Sequence, residues 1–238
     1  MRRLLIIGIC LVIASCTTSQ MNKTLGDLGK VLNEDQLTTQ EVVAGLKEAL
    51  VKGISIGAAS ASKLDGYYKN PRIKLPFPPD VQRVETKLRE IGLGSQVDKF
   101  VLTLNRGAEE AAKQAKPIFV NAIKSMTIQD AWDILKGEDD AATQYLMRTT
   151  SSQLKAKFQP VIGQALDKTD ATKYYGDIVS TYNKIPFVDK VNDDLEGYAT
   201  DKAIEGLFML VADEEKKIRE NPVARTTELL KKVFAAQD

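Results

Sequence analysis

Histidine is missing altogether from the 238 residues. Its absence removes the Ser-His-Asp triad, the Cys-His pair, histidine-ligated zinc and the haem histidine. Cysteine is nearly as scarce: the 2 present, Cys10 and Cys16, both lie near the start, so the body of the chain has no thiol nucleophile and no zinc-type spacing. An excess of charge of one sign is lacking too, with 33 Lys+Arg against 32 Asp+Glu. That balance speaks against a nucleic-acid partner. No Gly-rich phosphate loop or calcium loop is present, and no metal or cofactor is expected. A pair of carboxylates could still hydrolyse a glycosidic bond, so the missing residues narrow the enzyme classes without closing them.

What is present begins at the N-terminus. Arg2 and Arg3 precede an apolar run from Leu4 to Ile13, then Ala14 and Ser15 stand before Cys16. A bilayer-spanning helix needs about 20 apolar residues, more than this run has. The order of cationic, apolar and small residues is that of a lipoprotein signal peptide cut between Ser15 and Cys16. Residues 1–15 are therefore read as a signal peptide, 16–24 as a lipidated cysteine and tether, and 25–238 as one domain. Cys16 would hold the chain on a membrane through its acyl groups, each buried CH₂ contributing about 0.8 kcal/mol. Thr17, where an aspartate would signal retention, directs the expectation to the periplasmic leaflet of the outer membrane in a Gram-negative host.

Helix signals dominate the rest. Thr38 and Glu41 have the spacing of a capping box before an apolar series through Val42, Leu46, Leu50 and Ile54, predicting a helix over about 39–66. Gly53, Gly57 and Ala61 give that helix a smooth face for the close approach of another backbone. Between Asn70 and Pro79 four prolines alternate with Ile73, Leu75 and Phe77, which predicts an extended arm pinned to the core, or an edge for strand addition by a partner. Asp80 is expected to cap a helix over 81–91. A helix from Ser95 to about Met126 contains Pro117 and should kink or break near 113–117. Thr127 and Asp130 open a short helix that ends at Gly137. Helices follow at about 139–149, 151–167 and 170–184, then one capped by Thr200 and a last one after Asn221-Pro222. The fold class is all-α, a single multi-helix bundle-like domain with one extended Pro-rich arm.

Several motifs together resemble those of a bacterial family known as domain of unknown function 4197. They are Asp65-Gly66-Tyr67, Asn70-Pro71-x-Ile73-x-Leu75-Pro76, Leu104-Asn105-Arg106-x-Ala108-Glu109, Met126-Thr127-x-x-Asp130-Ala131, Ala141-Ala142-Thr143-x-Tyr145 and Glu214-Glu215-x-x-Ile218-Arg219-x-Asn221-Pro222-x-Ala224-Arg225-Thr226. The resemblance implies an exported or lipidated protein and supplies no catalytic residues.

The candidate polar residues are Asn105, Arg106, Glu109, Glu214, Glu215, Arg219 and Arg225. Arg106 can meet Glu109 or Glu110 at helical spacing, and Glu215 can meet Arg219. The Arg106 group could be an ion-paired helix face or the lining of a groove whose guanidinium takes a carboxylate or phosphate, and the Glu214–Arg225 group could be a locked helix corner or a general-acid pair. Adjacent Glu214 and Glu215 point about 100° apart on a helix, which disfavours joint acid-base work. The tyrosines Tyr67, Tyr68, Tyr174, Tyr175, Tyr182 and Tyr198 could line a sugar- or peptide-binding surface or pack at the core edge. The functional expectation is non-enzymatic binding of an envelope protein or an apolar small molecule. The alternative is a carboxylate-dependent hydrolase or lyase acting on envelope carbohydrate.

Overall fold

The computed structural model describes residues 38–187 and 189–220. Over these residues the chain is all-α, with no strand. The helices are α1 (Thr39–Ser62), α2 (Gln82–Glu90), α3 (Gly94–Ala112), α4 (Ala115–Lys124), α5 (Ile128–Lys136), α6 (Ala141–Asp167), α7 (Ala171–Tyr182) and α8 (Leu195–Glu220), with a 3₁₀ turn over Pro79–Val81. The helix predicted after Asn221-Pro222 and the tether at 16–24 lie outside the described residues.

α1, α3, α6 and α8 make the centre. α1 and α8 run antiparallel and meet at the small-residue face: a Cβ on Gly57 would stand 3.4 Å from the Leu210 carbonyl, and one on Gly53 3.4 Å from the Ile218 side chain. Glycine lets the two backbones meet at that depth. Leu46, Ile54, Leu104, Leu146, Phe158 and Leu207 fill the space between the four helices, each 2% exposed or less. Phe119 of α4 meets Phe208 of α8 edge-on, with ring centres 5.6 Å apart. The antiparallel pairing also places the start of α1 and the end of α8 at one end of the bundle.

Local chemistry sets the boundaries. Thr127 accepts from the Asp130 N–H at 3.1 Å while the Asp130 carboxylate accepts from the Thr127 N–H at 2.9 Å, the reciprocal capping box read from the sequence. The long helix expected from Ser95 does break, at Lys113 and Gln114, so that Pro117 falls in the first turn of α4, where its missing N–H has no intrahelical partner to lose.

Three expected boundaries are corrected. Asp80 sits in the 3₁₀ turn and caps nothing; α2 begins after Val81. The pair of helices expected to meet near residue 150 is the single helix α6, which runs on through Pro160. At the expected junction Thr149, Thr150 and Ser151 donate their hydroxyls to the carbonyls of Tyr145, Leu146 and Met147, at 2.8, 2.6 and 2.6 Å, one turn back inside the helix. Thr200 lies inside α8 rather than at its start. The cap is Asp194, whose Oδ1 accepts the Gly197 N–H at 2.7 Å.

The Pro-rich arm follows its period-two pattern, with Ile73, Leu75 and Phe77 buried and Lys74 and Pro76 exposed. It lies on the core. Arg72 ties it to Asp213 of α8 through both guanidinium nitrogens, at 2.5 and 3.0 Å.

Candidate functional site

The predicted polar residues build two structural clamps. At the first, α1 ends at Ser62 and the chain turns through Asp65, which adopts a left-handed φ of 64°. Gly66 follows because a Cβ there would fall 2.4 Å from the Ser60 carbonyl oxygen. The turn aims the N–H groups of Tyr67 and Tyr68 at Oε1 of Glu109, 3.1 Å from each. Arg106 closes the cluster, reaching Oε2 of Glu109 at 2.5 Å and Asp65 at 2.7 Å. Lys69, at 2.9 Å, and then Arg106 hold the Asp65 carboxyl below the usual carboxylate range. Buried Tyr67 donates its hydroxyl to the Ala203 carbonyl at 2.6 Å, and burial, with Glu109 nearby, drives its phenol well above its ordinary value.

Asn105, one residue before Arg106, serves the arm. Its amide oxygen accepts the Leu75 N–H at 2.9 Å and its nitrogen donates to the Leu75 carbonyl at 2.8 Å. A side-chain amide thus replaces the neighbouring strand that an extended segment needs, and it satisfies both backbone groups of Leu75 in the interior. That pairing closes the arm's inner edge at Leu75.

The second clamp caps a helix from a distance. Glu215 of α8 accepts the N–H groups of Ala142 and Thr143 at 2.9 and 2.8 Å, and the Thr143 hydroxyl at 2.8 Å. These are orphan donors at the start of α6, and the carboxylate also complements the positive end of that helix. Arg219 balances the buried charge at 2.9 Å and donates to the Ile134 carbonyl of α5 at 2.9 Å. Glu214 points elsewhere and pairs with Lys217 at 2.5 Å. Arg225 lies outside the described residues.

The two clamps do not share a pocket. Ala203, which meets the first, and Glu215 at the second are separated by about 18 Å of helix. The carboxylates of Glu109 and Glu215 each hold three or more donors, and each is 6% exposed or less. The matched motifs are therefore halves of contacts: Asp65-Gly66-Tyr67 meets Asn105-Arg106-x-x-Glu109, and Ala141-Ala142-Thr143 meets Glu215-x-x-x-Arg219. Among the described residues no group of three or more Cys, Asp or Glu could hold a metal ion.

A different feature has the form of a ligand site. Between α2, α3 and the start of α7 lies a groove of about 460 Å³. Phe77, Val97, Phe100 and Tyr175 form its floor, and Leu88, Leu93, Tyr174 and Ile178 its sides. Phe77 and Phe100 stand 5.0 Å apart between ring centres, Phe100 and Tyr175 6.3 Å. Tyr175 donates to the Asn192 carbonyl at 3.3 Å, and burial pushes its phenol up to about 12. Tyr174 and Leu93 remain 59% and 36% exposed, more apolar surface than a packed interior leaves open. Sequence reasoning foresaw Tyr174 and Tyr175 as possible lining but missed Leu88, Leu93, Lys99, Phe100 and Ile178. These come from α2, the link after it, α3 and α7, so no one segment of the sequence carries the pattern.

The family model described as "Protein of unknown function (DUF4197)" matches residues 36–235. No curated protein and no solved structure gives a match.

Proposed function

Because the chain belongs to the DUF4197 family, whose description assigns no activity, we propose a function from the site itself: an envelope protein, anchored by acyl groups on Cys16, that binds an apolar ligand in the groove between α2, α3 and α7 and does no chemistry on it. The observation that carries this reading is the groove, whose size falls within the ordinary 300–1,000 Å³ range of ligand pockets and whose floor is aromatic. Two further facts support it. The carboxylates best placed for acid-base work, Glu109 and Glu215, are occupied in holding backbone N–H groups, and no Asp or Glu lines the groove. The groove also sits beside Asn192 and Tyr198, at the beginning of α8, whereas the chain enters α1 at the opposite end. The groove thus lies away from Thr39, where α1 begins.

Site-specific photo-crosslinking in cells tests the reading with the full chain. A photoreactive residue at Leu93 or Tyr174 should capture a small apolar molecule, seen as a discrete mass increase on that peptide, while one at exposed Gln129 on α5 should not. Equal capture at all three positions, or none, would remove the groove as the site. Capture of a protein in place of a small molecule would move the function to partner docking. The anchor is tested separately: Cys16→Ala should abolish acyl labelling and release the chain from membranes.

A further inference from the structure

The rim of the groove carries one cation, Lys99, and its lining includes no carboxylate. Asp98, beside it in sequence, is already paired with Arg89 at 2.9 Å, and among the described residues no ion pair includes Lys99. An exposed ammonium in the lining of an aromatic groove fits an amphiphile whose charged end stays near water while its chain is buried. Size limits the chain. If a methylene occupies roughly water's share of liquid volume, about 30 Å³, the 460 Å³ available hold about fifteen such groups. One long alkyl chain fills that space, and a second would lie outside it.

Resting on the reading of the groove as a ligand site, we propose that its occupant is a free long-chain carboxylic acid, with its alkyl chain against Phe77, Phe100 and Tyr175 and its carboxylate on Lys99. A fatty alcohol of the same length would bury the same chain without the ion pair. A two-chain phospholipid would offer an anionic head but could not enter with both chains. α2 supplies the entry route, since no residue of it is buried and it is joined to α3 through Gly92, at φ 84°.

The test uses the full-length chain purified in amphipol and labelled with a diazirine analogue of hexadecanoic acid, with hexadecanoic acid, hexadecan-1-ol and dipalmitoyl phosphatidic acid as competitors. The acid should compete about tenfold more strongly than the alcohol, as expected for one charge-assisted contact at a partly exposed site. Lys99→Gln, a change at an exposed position, should bring acid and alcohol together, and phosphatidic acid should compete poorly. Equal competition by acid and alcohol in the unaltered chain, or a preference that survives Lys99→Gln, overturns the carboxylate assignment while leaving the groove as a ligand site. Phosphatidic acid competing as well as the acid overturns the single-chain limit. Labelling that no competitor displaces, or that maps away from α2, α3 and α7, removes the groove reading itself.

Discussion

Glu109 accepts two backbone N–H groups and a guanidinium in the interior, whereas Glu110 beside it meets only Lys113 in solvent. Removing the first carboxylate strands the buried donors of Tyr67 and Tyr68 and leaves Arg106 one partner short. Glu109→Ala should therefore cost about 3–5 kcal/mol, and Glu110→Ala no more than about 0.5 kcal/mol, measured as urea midpoints at constant slope. A catalytic role for Glu109 would instead predict lost turnover at unchanged stability. The tyrosines give a second expectation at this scale. Burial first, then Asp80 and Asp193 at Tyr175, and Tyr175, Asp80 and Glu205 at Tyr198, pushes the two phenols up to about 12, against an unfolded value near 10. Above pH 10 the unfolded chain releases phenolic protons that the folded chain retains, so stability falls as pH rises from about 10 to 12. With no histidine in the sequence, stability should be nearly flat from about pH 5 to 9, and thermal midpoints across that range would check both parts.

α2 is the element with the least holding it. It has no buried residue, its C-terminal end is closed by the Leu93 N–H donating to the Leu88 carbonyl at 2.8 Å, and the Arg89–Asp98 pair ties it to α3. Few buried contacts mean a low local opening energy. The amides of Gln82–Glu90 should exchange with deuterium faster than those of α6 or α8, and should slow when the groove is filled; exchange in α2 that ignores ligand would show that the helix is no wall of the site. The same elements show what could be read in advance. The Thr127–Asp130 box was legible because both partners lie within one turn, and the Gly53, Gly57 and Ala61 face because close backbone approach demands small residues at helical spacing. The arm was legible from its alternation. The α6 boundary was not, because hydroxyl residues that favour caps can equally return their hydrogen bond one turn back inside a helix. Thr200 misled for a related reason: it is a good cap residue five positions inside a helix already capped by Asp194, and its hydroxyl is buried with no partner among the described residues. The groove was least legible, since no single segment contains its pattern.

Across the whole molecule, the polar residues that looked most like a site are those that fasten distant segments together. Glu109 joins the turn after α1 to α3, Asn105 joins the arm to α3, and Glu215 joins α8 to the beginning of α6. Each contact spans many residues of sequence, so helices that are local in origin become one cooperative structure only when these fastenings close. The antiparallel course of α1 and α8 has one more consequence. α1 begins and α8 ends at one end of the bundle, while Ile185 and Phe187, 51% and 108% exposed, lie in the connection between α7 and α8 toward the other. The order of the helices along the chain is then separable from their order in space. A circular permutant opened at Asp189, with residues 221–238 and a flexible linker joining Glu220 to Thr39, should fold to the same bundle and melt within a few degrees of the parent. What the sequence specifies would then be a set of mating surfaces, indifferent to which helix is made first.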